Sequence, residues 1–220
     1  LHIARRVWKL RLKRCNLGRL EEAVLGVGRE GDIPGAEVPQ RFFAYLKTGQ
    51  FSLLEDVIRH NGQDIASLQV LLGHMAHLYE HPEGARHCED VFSMGVALER
   101  MKHPEEARRC YRLAARGAMR TQGQLRLAVN YRRTGDKAQA KEIWQAMVIR
   151  REGGVTPLIE LAKHYEHVEK DIPAALEMTR RALMQLAEPT LLEDDAVQQT
   201  RNEVQYRYAR LKNRLEKKEQ

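Results

Sequence analysis

Small and aromatic residues recur through the second half of this chain at a fixed spacing, and that recurrence narrows the fold more than any other feature. Gly95, Leu98, Ala107, Tyr111 and Ala114 form one set, and Ala128, Tyr131, Ala140 and Trp144 repeat it 33 residues later. Ala162, Tyr165, Ala175 and Ala182 make a third set, which begins after 34 residues and needs one extra residue in its inter-helix turn, around Glu169 to Pro173. Turn residues divide the first two sets, at Lys102-His103-Pro104 and at Thr134-Gly135-Asp136. Such spacing predicts pairs of helices whose small residues let the axes approach and whose central aromatic fills the groove against the next pair. An irregular helical bundle, the plainer alternative, has no reason to repeat it.

The pattern resembles the tetratricopeptide repeat, whose unit is about 34 residues long. The resemblance implies a mainly α chain with an α-solenoid and a concave surface that takes a protein or peptide partner. The last repeat of a solenoid exposes an apolar flank unless a terminal helix covers it. Glu193 to Gln220 suits that task, with Val197, Val204, Tyr208, Leu211 and Leu215 on one face, while Arg214, Lys217 and Lys218 suit the negative end of its dipole.

Upstream, glycines 26, 28 and 31 and the run Asp32-Ile33-Pro34-Gly35 interrupt any periodicity and mark a loop. Gly26-x-Gly28-x-x-Gly31 fits a dinucleotide-binding fingerprint only superficially, because a helical segment precedes it where a strand is required. Pro39 opens a helix through Arg41 to Leu46, and Gly49 closes it. A further helix is expected from Phe51 to Arg59, a break at His60-Asn61, and a longer helix from Gly62 to about Tyr79 with Ile65, Leu68, Leu72 and Met75 on one face. In that arrangement Asn61 is an N-cap and Asp64 stands at N3, a purely structural account of both residues. His74, His77 and His81 have helical metal-ligand spacing, but no cysteine or carboxylate completes a set, and ordinary packing histidines explain them.

The net charge of +7 is unevenly spread: Arg5, Arg6, Lys9, Arg11, Lys13 and Arg14 fall within the first fourteen residues. Two readings stand. The cluster neutralises phosphates and draws in nucleic acid by counterion release, or it is the solvated side of a helix whose apolar stripe is Ile3, Val7 and Leu10. The most apolar stretch, Leu68 to Tyr79, is shorter than the roughly 20 residues of a membrane helix, so no membrane partner is expected. Cys15, Cys88 and Cys110 show neither zinc spacing nor an even count, which suits a reducing cytoplasm. A start at Leu1 without a secretory pattern suggests a fragment or processed product.

Leu20-Glu21, Val24-Leu25-Gly26, Arg29, Asp32-Ile33-Pro34-Gly35, Pro39, Phe43, Tyr45-Leu46 and His60-Asn61-x-x-Asp64-Ile65-x-Ser67-Leu68 occur in an order that resembles the closing segment of the YprB-type ribonuclease H-like domain. That family is related to 3′-5′ exonucleases that use four acidic residues, and its members often carry tetratricopeptide repeats. The resemblance implies a parent protein with a two-metal site for magnesium or manganese, to which this segment gives Asp64 as the last metal-ligating carboxylate. His60 would stand where related enzymes place a residue that orients or deprotonates water, although the three residues between His60 and Asp64 match the tyrosine type of site. The expected organisation is residues 1–82 as the helical C-terminal part of the nuclease-like domain, 83–187 as three repeats and 188–220 as a capping helix. One carboxylate cannot assemble a two-metal centre, so the chain alone is expected to be inactive. A non-catalytic interaction scaffold is the alternative.

Overall fold

The computed structural model describes residues 1–29, 33–187 and 195–219; Gly31, Asp32, Glu193, the Lys218 side chain and Gln220, all named above, lie outside the described portion. The chain is mainly α, with helices α1 (His2–Leu12), α2 (Leu17–Leu20), α3 (Val38–Thr48), α4 (Ser52–Glu80), α5 (Cys88–Arg100), α6 (Pro104–Ala114), α7 (Arg120–Arg133), α8 (Lys137–Ile149), α9 (Thr156–His164), α10 (Ile172–Ala187) and α11 (Asp195–Glu219) and no strand among the described residues. It divides into two compact units, residues 1–113 and 114–220.

In unit 1, α1 lies against α5, so residues on both sides of position 82 share one core. The buried stripe of α1 is Ala4, Val7 and Trp8, whereas Ile3 and Leu10 are exposed. The large Trp8 indole decides that rotation: it is 1% exposed and stacks on His74 of α4, with centroids 6.3 Å apart. Burial beside Trp8 pulls the His74 imidazole below its ordinary pKa.

Helix α4 corrects the expected break. It runs unbroken through His60-Asn61-Gly62, so Asn61 caps nothing and Asp64 sits mid-helix. Glycine in a helix interior costs only about 1 kcal/mol relative to alanine, too little to stop a 29-residue helix. The expected apolar face is corrected as well: α4 buries Leu71, Met75 and Leu78, while Ile65, Leu68 and Leu72 stay exposed. As expected, Pro39 lies in the first turn of α3 and Gly49 ends it at φ 72°.

The pair α5/α6 shows why residue 95 is glycine. A Cβ there would lie 2.8 Å from the Tyr111 ring and 3.1 Å from Cys110 Cβ. Tyr111 is fully buried and its hydroxyl donates to Glu99 Oε2 at 3.0 Å. Burial also pushes the Cys110 thiol pKa up to about 12.

In unit 2, α7 packs on α8, α8 on α9, α9 on α10 and α10 on α11. Ala128, Ala140, Ala162, Ala175 and Ala182 are fully buried, and Trp144 is nearly so, which is the close approach that the repeated spacing predicts. The extra residue of the third set sits earlier than its expected place near the Glu169–Pro173 turn. It is taken up in a π turn, Tyr165–Glu169, that continues α9 and ends on Lys170 in the left-handed region at φ 59°. Val204 and Leu211 of α11 are buried against α10, and Val197, Tyr208 and Leu215 are half-buried on the same face, as a capping helix requires.

Candidate functional site

Asp64 and His60 lie one turn apart on the same face of α4, with His60 Nε2 3.6 Å from Asp64 Oδ2. What meets them comes from the segment that follows α1. Asn16 caps α2 by accepting the Arg19 amide at 3.1 Å. The helix then widens into a π turn, Glu21–Leu25, closed by Gly26 at φ 71°. The turn buries Glu21 completely, and an isolated carboxylate in such a place is costly enough to require a cation. Arg29 provides it: its Nε donates to Glu21 Oε2 at 2.5 Å and its Nη2 to Oε1 at 2.8 Å.

The same guanidinium extends to α4. Arg29 Nη2 donates to Asp64 Oδ1 at 2.5 Å, and Nη1 lies 3.4 Å from His60 Nδ1. Arg29 is therefore a bridge between two carboxylates separated by 43 positions in the chain, and its side chain is only 13% exposed. The cluster of Glu21, Arg29, His60 and Asp64 fixes α4 to the π turn and leaves the Asp64 side chain about one-third accessible, at 32%. Glu21 and Arg29 acquire no role from spacing alone. Both stand in the family-like order of motifs, which marks them as part of that segment without giving either a partner.

The donor set bears on the metal that the resemblance implies. Both Glu21 oxygens accept from Arg29, Asp64 has a guanidinium on Oδ1, and among the described residues no three His, Cys, Asp or Glu side chains converge as metal ligands. These residues by themselves do not fit a metal centre. His77 and His81 are neighbours, with ring centroids 5.0 Å apart, but they gather no third ligand either.

The basic lead-in separates into distinct groups. Arg11 turns into the core and pairs with Asp90 of α5, Nε to Oδ1 at 3.0 Å and Nη2 to Oδ2 at 2.8 Å. Burial holds the Asp90 carboxyl above its ordinary pKa even with Arg11 beside it. Arg5, Lys9, Lys13 and Arg14 instead line a shallow pocket of about 340 Å³ with Cys15 and Asn16. Arg6 does not line that pocket; its charge acts on the half-buried Tyr79 hydroxyl.

One comparison with known proteins falls on the α1–α4 segment and another runs over most of the chain. A family model described as RNase_H superfamily matches residues 1–76. Residues 1–76 are thus similar in sequence to that superfamily. The chain is also 28% identical over 192 residues to "Uncharacterized protein YprB" of Bacillus subtilis (strain 168). That match covers 85% of this chain but 46% of the relative, so the chain spans about half the length of the curated protein it matches. No solved structure matches. The family match encloses Glu21, Arg29, His60 and Asp64, so the cluster lies wholly within the matched segment. No helix among the described residues is long and apolar enough to cross a membrane.

Proposed function

We propose that this chain is the C-terminal part of a metal-dependent 3′-5′ exonuclease-like protein that acts on nucleic acid, with helix pairs that engage substrate or a protein partner. One observation supports this most: within the segment that matches the ribonuclease H superfamily, His60 and Asp64 stand side by side on α4 with Asp64 partly accessible. In this reading Asp64 is the carboxylate offered to magnesium or manganese, and the remaining donors belong to chain outside these 220 residues. Three free thiols suit a reducing, cytoplasmic setting. The 220-residue chain alone is inactive. The test is degradation of single-stranded DNA and RNA with magnesium or manganese, by this chain and by the longer protein that contains it. Activity of the short chain that disappears in Asp64→Asn refutes the claim of incompetence, and an inert longer protein refutes the nuclease reading.

The second reading is a non-catalytic tetratricopeptide-like scaffold, and the buried alanines and aromatics of α5 to α10 favour it. It predicts that the longer protein binds a peptide or protein partner through those helices with no metal-dependent loss of nucleic acid.

A further inference from the structure

We propose that the exposed end of α1 and the turn after it form a phosphate-binding cradle for the backbone of a nucleic acid, built from Arg5, Lys9, Lys13 and Arg14. This rests on the nucleic-acid reading above and assigns the contact to particular side chains.

Residues 1–20 contain no acid and seven arginines and lysines. Two of the seven are neutralised, Arg11 by Asp90 and Arg19 by Glu22 at 2.6 Å. Arg5, Arg6, Lys9, Lys13 and Arg14 are exposed, and none makes an ion pair among the described residues. Arg5, Lys9 and Lys13 follow one another at four-residue intervals, a stripe with about 6 Å between steps along the helix axis. Like charges one turn apart repel and weaken the helix that bears them. The helix dipole accounts for one or two cations in the last turn of α1, but it does not explain Arg5, a turn and more upstream, or Arg14 beyond the helix end.

The turn itself is strained. Lys13 has φ 59° and ψ −47°, and the Arg14 amide donates to the Leu12 carbonyl at 2.6 Å. That is a γ-turn of the rare positive-φ kind, held by a lysine where no side chain is comfortable. The bend sets Arg14 and Asn16 beside the stripe, so that four cations surround a single concavity. Asn16 Oδ1 is occupied by the Arg19 amide, which leaves the side-chain nitrogen as a further donor. Buried Cys15 adjoins this ring of charge: Arg5 and Lys9 are close enough to act on its thiol, although burial dominates and raises its pKa.

Among the described residues no aromatic side chain lines the pocket, and Trp8 is turned into the core. Recognition is therefore through phosphate charge, without base stacking, and is indifferent to sequence. The same chemistry admits DNA and RNA.

The test is fluorescence anisotropy of the 220-residue chain with labelled dT and U homopolymers, in chelator and over a range of sodium chloride concentrations. Four phosphate contacts predict that log K falls against log salt with a slope of about −2.8 for a single strand. Arg5→Gln/Lys9→Gln is expected to flatten it by about 1.4, two contacts at roughly 0.7 each. Arg6→Gln, a lost cation outside the pocket, is expected to leave the slope within about 0.3 of the parent value, well under one contact. Circular dichroism and continued protection of the Cys15 thiol establish that the variants remain folded. A parent slope shallower than about −0.7, a single contact or less, overturns the cradle. So does a double variant that binds with the parent slope. Neither result touches the nuclease reading, which stands or falls on metal-dependent degradation by the longer protein at low salt.

Discussion

The two compact units use the same local distortion to opposite electrostatic ends. Each contains a π turn that buries one carboxylate completely, Glu21 in unit 1 and Glu166 in unit 2, and each turn closes on a left-handed residue, Gly26 or Lys170. Among the described residues, the Arg29 guanidinium at Glu21 is shared with a second carboxylate, Asp64, so two acids meet one guanidinium there. Around Glu166 three guanidiniums of α11 converge: Arg207, Arg210 at 2.7 Å to both oxygens, and Arg214 at 3.1 Å. Base exceeds acid there. A π turn, which makes room for an inward side chain, is common at functional sites, but the charges around it decide what it does. Glu166 has both oxygens engaged in tethering the cap helix. Asp64 gives Oδ1 to Arg29 and, among the described residues, meets only a distant His60 nitrogen at Oδ2.

If that contrast is right, the largest effect comes from removing the shared cation. Arg29→Met leaves the buried Glu21 carboxylate without its guanidinium and is expected to destabilise unit 1 by about 4 kcal/mol. Arg29→Lys restores charge without the two-pronged geometry and recovers only part of that. The thiols report it: Cys110, with its pKa pushed up to about 12, should react with iodoacetamide at pH 8 only after unit 1 opens. A cost below about 1 kcal/mol, the range of surface ion pairs, would break the comparison, because Glu21 would then be no true buried charge. The counterpart in unit 2 is milder. Glu166→Gln leaves three guanidiniums that can turn to solvent, Arg210 and Arg214 being 40% and 49% exposed. We expect about 2–3 kcal/mol, near the lower end for a broken buried pair. Amide exchange should speed up across α9 to α11 while α1 to α4 keep their protection.

Gly95→Ala tests whether helix packing is as demanding as these charges. The added methyl meets the buried Tyr111 ring at 2.8 Å, and overpacking of this kind costs roughly 1–3 kcal/mol, about 2 here. Urea titration followed by Cys110 labelling measures it. A neutral Gly95→Ala would show that α5 and α6 separate freely, with close approach no longer the reason for a small residue at the head of the repeat.

Packing was more legible in the sequence than the cluster, for a physical reason. Small residues at helix crossings are needed at every repeat, so Ala107, Ala128, Ala140, Ala162 and Ala175 declare their burial by spacing. The cap helix is legible in the same way through Val204 and Leu211. A one-residue insertion is visible, but its place is not: an added residue in a turn and a π turn inside a helix shift the register equally. Asn61-Gly62 suggests a break because local propensity disfavours a helix there, but both residues lie on the exposed face of α4 and the helix runs on. On α1 the indole of Trp8 outweighs Ile3 and Leu10 and rotates the stripe. His60 and Asp64 are seen as a pair because one turn of helix joins them. Glu21 and Arg29 are joined to that pair only by the fold.

Asp64→Asn has the smallest expected cost in stability and sharpens the comparison most. Its carboxylate is about one-third exposed, so loss of the Arg29 contact falls in the surface ion-pair range, about 0.5–1 kcal/mol. Arg29 keeps its two-pronged bond to Glu21 in the variant, and α4 stays in place. A residue kept only to fasten α4 should then be worth little, and the longer protein should tolerate its loss. A residue kept to offer negative charge should be worth equally little to folding, yet metal-dependent degradation of nucleic acid by the longer protein should fall below detection in Asp64→Asn. Urea midpoints and degradation rates measured on the same variant separate the two cases. A variant of near-parental stability with no activity assigns the acidic excess of unit 1 to chemistry, while one of near-parental stability that keeps its activity leaves Asp64 as a fastening of α4 alone.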